Sequence, residues 1–263
     1  MITGTHLEPI LASVRERARE RRRRRSTADL RAEVAPDPSR RQRFVSALRE
    51  PGLAIIAECK RSSPSAGILA LETDLAARAE AYARGGAAAL SVLTEEDHFQ
   101  GAPADLERVA AAGLPRLRKD FLLEEGMVLE SMEMGADAVL LLAVCLPGGL
   151  LAELRALAGE LGLAVLLEVH DEEELERAMA VGPDCLGVNA RNLATFQVEL
   201  GTVEALLPRI GGDCVRIAES GIRGPAQLRR VRACGADATL VGEALMRSPH
   251  PEILLREWRR ALA

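Results

Sequence analysis

Residues 132–142 read MEMGADAVLLL and residues 232–242 read RACGADATLVG, so Gly-Ala-Asp recurs one hundred residues apart, each time between an amphipathic stretch and a short apolar run. A glycine that closes a helix directly before a strand is the join expected of α/β units. Outward from these two joins, apolar runs at 53–59, 87–93, 114–118, 137–144, 163–169, 184–189, 214–219 and 237–242 alternate with helix-like stretches at 74–84, 104–112, 124–134, 150–161, 172–181 and 225–234. Such alternation implies a parallel sheet. Eight repeats of roughly 20–35 residues predict an α/β fold, a closed (β/α)8 TIM barrel, for which about 250 residues is typical. An open doubly wound sheet is the alternative.

Residues 1–50 carry no strand signal and read as an N-terminal helical extension, one or two helices with a polar hinge at Pro36-Asp37-Pro38, ahead of a barrel over 51–263 in a single domain. Such an extension is placed to lie across a barrel mouth. Within it, Arg15 to Arg25 holds eight arginines against Glu16 and Glu20. The run lacks interleaved aromatics and the whole chain has a net charge of −5, so it reads as a solvated helix face, with no nucleic acid as partner.

Hydrophobic residues make up 48% and charged residues 28%, enough for a sizeable core and unlike a disordered chain. No apolar run approaches the roughly 18–20 residues of a membrane helix and the N-terminus lacks the order of a signal peptide, so no membrane partner and a cytoplasmic location are expected. The five cysteines are far apart, form no CxxC pair and read as reduced thiols, not as metal ligands or disulfides. The expected assembly is a monomer or a weak homodimer.

All but two of the 34 basic residues are arginine; the exceptions are Lys60 and Lys119. Lysine can give up a proton near neutral pH and arginine cannot, which marks both lysines as candidates for acid, base or Schiff-base work. Active sites of such barrels lie at the C-terminal ends of the strands. Glu58 and Lys60 end the first strand on one face with Cys59 on the other, Lys119 ends the third, Glu168 the fifth, Asn189 the sixth and Glu219 the seventh. Two lysines and three glutamates in a mouth can neutralise one another and tune one another's protonation. Ser220-Gly221 and Gly242-Glu243 follow strands seven and eight, where this barrel class often binds phosphate through backbone N–H groups, and Ser63 adds a hydroxyl past strand one. Phe99 and Phe121, beyond strands two and three, are placed to wall an aryl pocket, and Arg191 to meet a carboxylate.

The segment Ile56-Ala57-Glu58-Cys59-Lys60-Arg61-Ser62-Ser63-Pro64-Ser65-Ala66-Gly67 resembles the first-strand signature of the indole-3-glycerol phosphate synthases, and the likeness continues in order. It recurs at Ser91–Glu95 with Phe99-Gln100-Gly101, at Arg118–Phe121, Leu167–His170, Gly187–Leu193 and Ala218–Ile222, and at Val241–Met246. It spans roughly residues 44 to 247; His98 stands where an aromatic is common, Ala102 where serine is common, and the first 40 residues match loosely.

The resemblance implies conversion of a phosphorylated small molecule, 1-(2-carboxyphenylamino)-1-deoxyribulose 5-phosphate, to indole-3-glycerol phosphate, carbon dioxide and water, with no metal or organic cofactor. It implies Lys119 as the acid of ring closure with Glu58 paired to it. Lys60 would meet substrate anions and take part in dehydration, Glu168 would transfer protons there, and Asn189 would orient a hydroxyl or carboxylate. Ser63, Ser220, Gly221, Gly242 and the Glu243 backbone N–H would hold the phosphate, with Glu219 also on the substrate. Which of Lys60 and Glu168 is the acid of dehydration is open. A barrel isomerase acting on phosphoribosylanthranilate would share the phosphate loops but use a Cys and Asp pair, against which Cys59 points away from the mouth. A regulatory or nucleic-acid-binding protein would leave the mouth residues incidental.

Overall fold

Eight parallel strands, β1 (Ala54–Cys59), β2 (Ala89–Leu93), β3 (Arg116–Lys119), β4 (Ala138–Leu142), β5 (Ala164–Val169), β6 (Cys185–Asn189), β7 (Val215–Glu219) and β8 (Ala238–Val241), close into a barrel in chain order, with β1 paired to both β2 and β8. The computed structural model describes residues 7–64, 67–69, 74–193 and 195–262. This is the (β/α)8 barrel that the alternation predicts, not the open sheet.

Strands β4, β6 and β8 each start one residue later than their apolar runs, and the reason is chemical. Asp137, Asp184 and Asp237 stand just before β4, β6 and β8, and their carboxylates accept the backbone N–H groups of Arg116 (2.8 Å), Val165 (3.0 Å) and Arg216 (2.9 Å) on the preceding strands. They tie off the barrel floor, where a sheet end would otherwise leave donors unpaired. The glycines of the two Gly-Ala-Asp joins, Gly135 (φ 77°) and Gly235 (φ 88°), take the left-handed conformation that stops each helix.

Three helices precede β1 where one or two are expected: α1 (Leu7–Arg24), α2 (Thr27–Glu33) and α3 (Pro38–Leu48). The extra break lies at Ser26, whose hydroxyl accepts the Asp29 N–H while Asp29 accepts the Ser26 N–H, a reciprocal cap that starts a new helix. Helix α3 closes the barrel floor with buried Phe44 and Leu48, and Arg41 and Arg43 reach Asp184 and Asp137. Helix α1 buries Leu7, Ile10, Leu11, Val14 and Ala18 and packs beside α6 (Glu125–Glu133). Its arginine run is not simply solvated. Arg17 binds Asp97 and Glu96, Arg21 lies 3.4 Å from Glu130, and Arg22 and Arg25 meet Glu124 and Glu133 at 2.7 and 2.6 Å. The run is held by carboxylates of α6, its N-terminal loop and the loop after β2.

The outer ring continues with α4 (Leu75–Gly85), α7 (Leu150–Leu161), α8 (Glu172–Ala180), α9 (Leu200–Leu206), α10 (Pro225–Ala233), α11 (Glu243–Arg247) and α12 (Pro251–Arg260), while the expected helix at 104–112 shortens to α5 (Asp105–Arg108) and a 3-10 turn stopped by left-handed Gly113. All five cysteines are free thiols. No described helix is long and apolar enough to cross a membrane.

Candidate active site

Barrel register explains why the ionisable residues meet. From Glu58 on β1 the register runs through Ser91 to Leu117, two residues short of Lys119 on β3; from Glu168 on β5 it runs through Gly187 to Ile217, two residues short of Glu219 on β7. A stagger of two residues over each pair of strands accumulates to the shear of about 8 that closes such a barrel. Glu58, Lys119, Glu168 and Glu219 are therefore one layer of four inward side chains from alternate strands, at the C-terminal end.

Every residue singled out from the sequence lines one cavity of about 380 Å³ above this layer: Glu58, Lys60, Ser63, Phe99, Lys119, Phe121, Glu168, Asn189, Arg191, Glu219, Ser220, Gly221, Gly242 and Glu243. The pairing within it differs from expectation. Lys119 Nζ donates to Glu168 Oε2 at 2.9 Å and lies 3.8 Å from Glu219 Oε2, whereas Glu58 Oε1 pairs with Lys60 Nζ at 2.5 Å. Glu58 and Lys60 share a face two residues apart, and that local pair forms in place of a Glu58–Lys119 ion pair across the mouth. Asn189 Nδ2 donates to Glu168 Oε1 at 2.8 Å, and Asn189 Oδ1 accepts the Arg191 N–H at 2.9 Å, so the amide is fixed from both ends.

Burial opposes charge on every member of the layer, and the neighbours decide which members ionise. Burial works to discharge Lys119, but Glu168, Glu219 and Glu58 outweigh it and hold the ammonium charged well above neutral pH. Burial likewise favours a neutral Glu168, yet Lys119, His170 and the Asn189 amide keep it well below the usual carboxylate range. Glu219 goes the other way. Burial first, and then the charge on Glu168, push it well above that range, so the two carboxyls separate into one ionised and one protonated.

Two glycines make room for this arrangement. A Cβ on Gly187 would fall 2.0 Å from Glu219 Oε1, and one on Gly242 would fall 2.2 Å from Glu58 Oε1. Gly242 thus accommodates a carboxylate as well as standing at the end of β8. Past β7, Ser220 (φ 67°) and Gly221 (φ 78°) are successive left-handed residues, a turn that gathers backbone N–H groups. Past β8, Gly242 precedes α11, whose first residue Glu243 lines the cavity while its carboxylate accepts from Arg247 at 3.0 Å. The Phe99 and Phe121 rings lie 6.2 Å apart at 43° on the opposite wall. The loop that carries Phe99 is pinned by Glu95, which accepts the N–H groups of Asp97, His98 and Phe99 at 3.1, 2.7 and 2.9 Å.

Sequence reasoning gave His170 no role. It lies between two carboxylates, with Nδ1 3.0 Å from Glu174 Oε2 and Nε2 3.2 Å from Glu168 Oε1, the second contact lacking hydrogen-bond alignment. Burial lowers its pKa, but these two glutamates raise it to about 10, so a second cation stands behind Glu168. Its position two residues after Glu168 was the available signal. Gly187, a glycine inside a strand, was another.

A family model described as indole-3-glycerol phosphate synthase matches residues 7–258. The chain belongs to the indole-3-glycerol phosphate synthase family. An indole-3-glycerol phosphate synthase of Nocardioides sp. is 48% identical over 252 residues, covering 95% of this chain and 96% of that protein. The Mycobacterium avium synthase is 42% identical, covering 95% and 92%. Among solved structures, thiamine phosphate pyrophosphorylase from Pyrococcus furiosus superposes with a TM-score of 0.60 at 19% identity over 82% of this chain and 97% of that one, a likeness of fold alone. The synthase motifs between residues 44 and 247 thus sit within a family match that also takes in α1 to α3, where the sequence resemblance is loose.

Proposed function

We propose that the chain performs the synthase reaction of tryptophan biosynthesis as a carboxy-lyase, closing the ring of 1-(2-carboxyphenylamino)-1-deoxyribulose 5-phosphate with loss of carbon dioxide and water. What supports this most is the charged Lys119 held at 2.9 Å by an ionised Glu168, in a cavity with an aromatic wall at one side and the glycine loops of β7 and β8 at the other.

In the first step the ring carbon bearing the carboxylate attacks the ketone carbon, and the ketone oxygen takes a proton from Lys119. Lys119 rests protonated, and the developing alkoxide is the stronger base. Carbon dioxide then leaves, and the electron pair of the broken bond restores the aromatic ring. In the second step the new hydroxyl leaves as water with a proton from an acid, and a base removes a proton from the adjacent carbon to form the indole double bond. Glu168, held ionised, suits the base, and Lys60 or the protonated Glu219 suits the acid. Asn189 orients a substrate oxygen, Arg191 meets the carboxylate, and Phe99 and Phe121 wall the aryl ring. Ser63, Ser220, Gly221, Gly242 and the Glu243 N–H take the phosphate.

The same reading makes this a cytoplasmic enzyme, monomeric or weakly dimeric, with no nucleic-acid partner. Incubation with the carboxyphenylamino substrate, with indole fluorescence as readout, tests it. Absence of product with correctly folded protein would remove the assignment.

A further inference from the structure

At the barrel floor, the positions just before the even-numbered strands form a fourfold set, and one member is broken. Ala88 N–H donates to the Ile55 carbonyl at 2.9 Å just as Asp137 N–H does to Arg116 (2.8 Å) and Asp237 N–H to Arg216 (2.9 Å), so Ala88 occupies before β2 the place that Asp137 and Asp237 hold before β4 and β8. The three aspartates each meet an arginine: Asp137 with Arg43, Asp184 with Arg41 and Asp237 with Arg216. Ala88 brings a methyl group where its counterparts bring a carboxylate.

The arginines at this fourth position are nonetheless present. A cavity of about 560 Å³ opens between the starts of β1 and β2 and helix α12, lined by Arg232, Arg256, Arg259 and Arg260, with Glu50 as the one side-chain carboxylate among the described residues of its lining. Among the described residues none of these four arginines has an ion-pair partner within 4.0 Å; Arg232 Nη1 donates to the Leu262 carbonyl, so Arg256, Arg259 and Arg260 are the ones that can turn to a ligand. Arg259 reaches over the backbone at the start of β2, where a Cβ on Gly86 would fall 2.0 Å from its Nη1. No aromatic side chain lines the cavity, and it lies at the end of the barrel remote from Lys119.

We propose that this floor niche is a second anion site, which takes a small molecule bearing two phosphate groups. One phosphate oxygen stands where the missing carboxylate would be, and the guanidinium groups grip the rest through charge-assisted hydrogen bonds. Among the described residues four arginines against Glu50 leave an excess of positive charge that suits a multiply charged anion, and the niche has room for two phosphate groups. Leu53, Ile55 and Leu262 form its apolar wall, and the arginines stand exposed around it.

Isothermal titration of the full chain with inorganic pyrophosphate, in a buffer free of phosphate and sulfate, tests this. Ala88→Asp supplies the carboxylate from the chain itself, a residue already accommodated before β4, β6 and β8. Arg256→Ala with Arg259→Ala removes two of the three arginines that can turn to a ligand, without filling the niche. Each change should weaken pyrophosphate binding by at least about tenfold while kcat and KM for the indole-forming reaction stay unchanged. If Ala88→Asp fails to fold, the double arginine variant decides. Equal affinity in wild type and the folded variants would place the probe in the substrate's phosphate loops and overturn the proposal. So would the absence of binding up to about 10 mM, where even a weak site registers.

Discussion

Replacing Gly187 by alanine adds one methyl group to β6 and tests whether the position of Glu219 matters to the reaction. The new Cβ would lie 2.0 Å from Glu219 Oε1 and 3.1 Å from both its carboxyl carbon and Leu166 Cδ1. Real Cβ contacts essentially never fall under 3.0 Å, so the carboxyl must retreat by at least about 1 Å. It is 2% exposed and enclosed by Lys119 and Glu168, so retreat means leaving its place beside the ammonium. The atom struck is the end of a side chain, which puts the stability cost near the lower end of overpacking, about 1 kcal/mol. Catalysis should suffer more, since a misplacement of about 1 Å costs about 10²-fold in kcat, or about 2.7 kcal/mol of barrier. Indole fluorescence gives kcat, and urea unfolding followed by circular dichroism gives stability. In the double variant with Glu219→Ala the clash disappears, so the stability cost of Gly187→Ala should shrink and kcat should fall no lower than in Glu219→Ala alone. A folded Gly187→Ala enzyme with kcat within about threefold of wild type, or costs that simply add, would refute the reasoning.

Lys119→Arg keeps the charge but gives up no proton, and kcat should fall by about 10² to 10⁴ with folding intact; retention of half the wild-type kcat would end the acid role. His170→Asn removes a cation behind Glu168, so the Glu168 pKa should rise and the acidic limb of the kcat/KM profile should move to higher pH, with an unmoved limb counting against the coupling. Because His170 titrates near 10 when folded against 6.5 in its ordinary state, its stabilising contribution is complete below pH 6.5 and disappears as pH rises through 10. Wild-type urea midpoints should therefore lose, over that window, a component that His170→Asn lacks. Arg17→Gln releases Asp97 and Glu96 beside the loop of Phe99, so KM should rise severalfold with kcat nearly unchanged, and added salt should reproduce part of the effect in wild type; an unchanged KM would detach α1 from the aryl wall.

Much of this architecture is written in local sequence. Gly135 and Gly235 mark their joins because only backbone freedom at positive φ is needed there, a property of the single residue. The candidate site is legible for a related reason: strand ends fix which side chains enter the mouth, and Lys60 and Lys119 stand out in a chain that otherwise uses arginine. What depends on relations between distant strands is not legible. That Lys119 meets Glu168 while Glu58 turns to Lys60 follows from shear and from the spaces above Gly187 and Gly242, neither of which any one segment records. Ser26 and Asp29 hide a helix break inside a charged stretch, because a reciprocal cap is two polar residues among many. The arginine run illustrates the same limit: its partners Asp97, Glu124 and Glu133 lie about a hundred residues away and no periodicity points to them.

The scarcity of lysine has a practical consequence for spectroscopy. Reductive methylation with a ¹³C-labelled reagent targets ε-amines and the chain's own α-amine, and the two ε-amines here, on Lys60 and Lys119, line the same cavity at 18% and 15% exposure. A labelled sample would show its side-chain resonances only from the chamber where the indole ring is proposed to form. Their chemical shifts, followed through addition of a phosphorylated ligand, would report the surroundings of each amine without a mutation, with the α-amine as the one other labelled group.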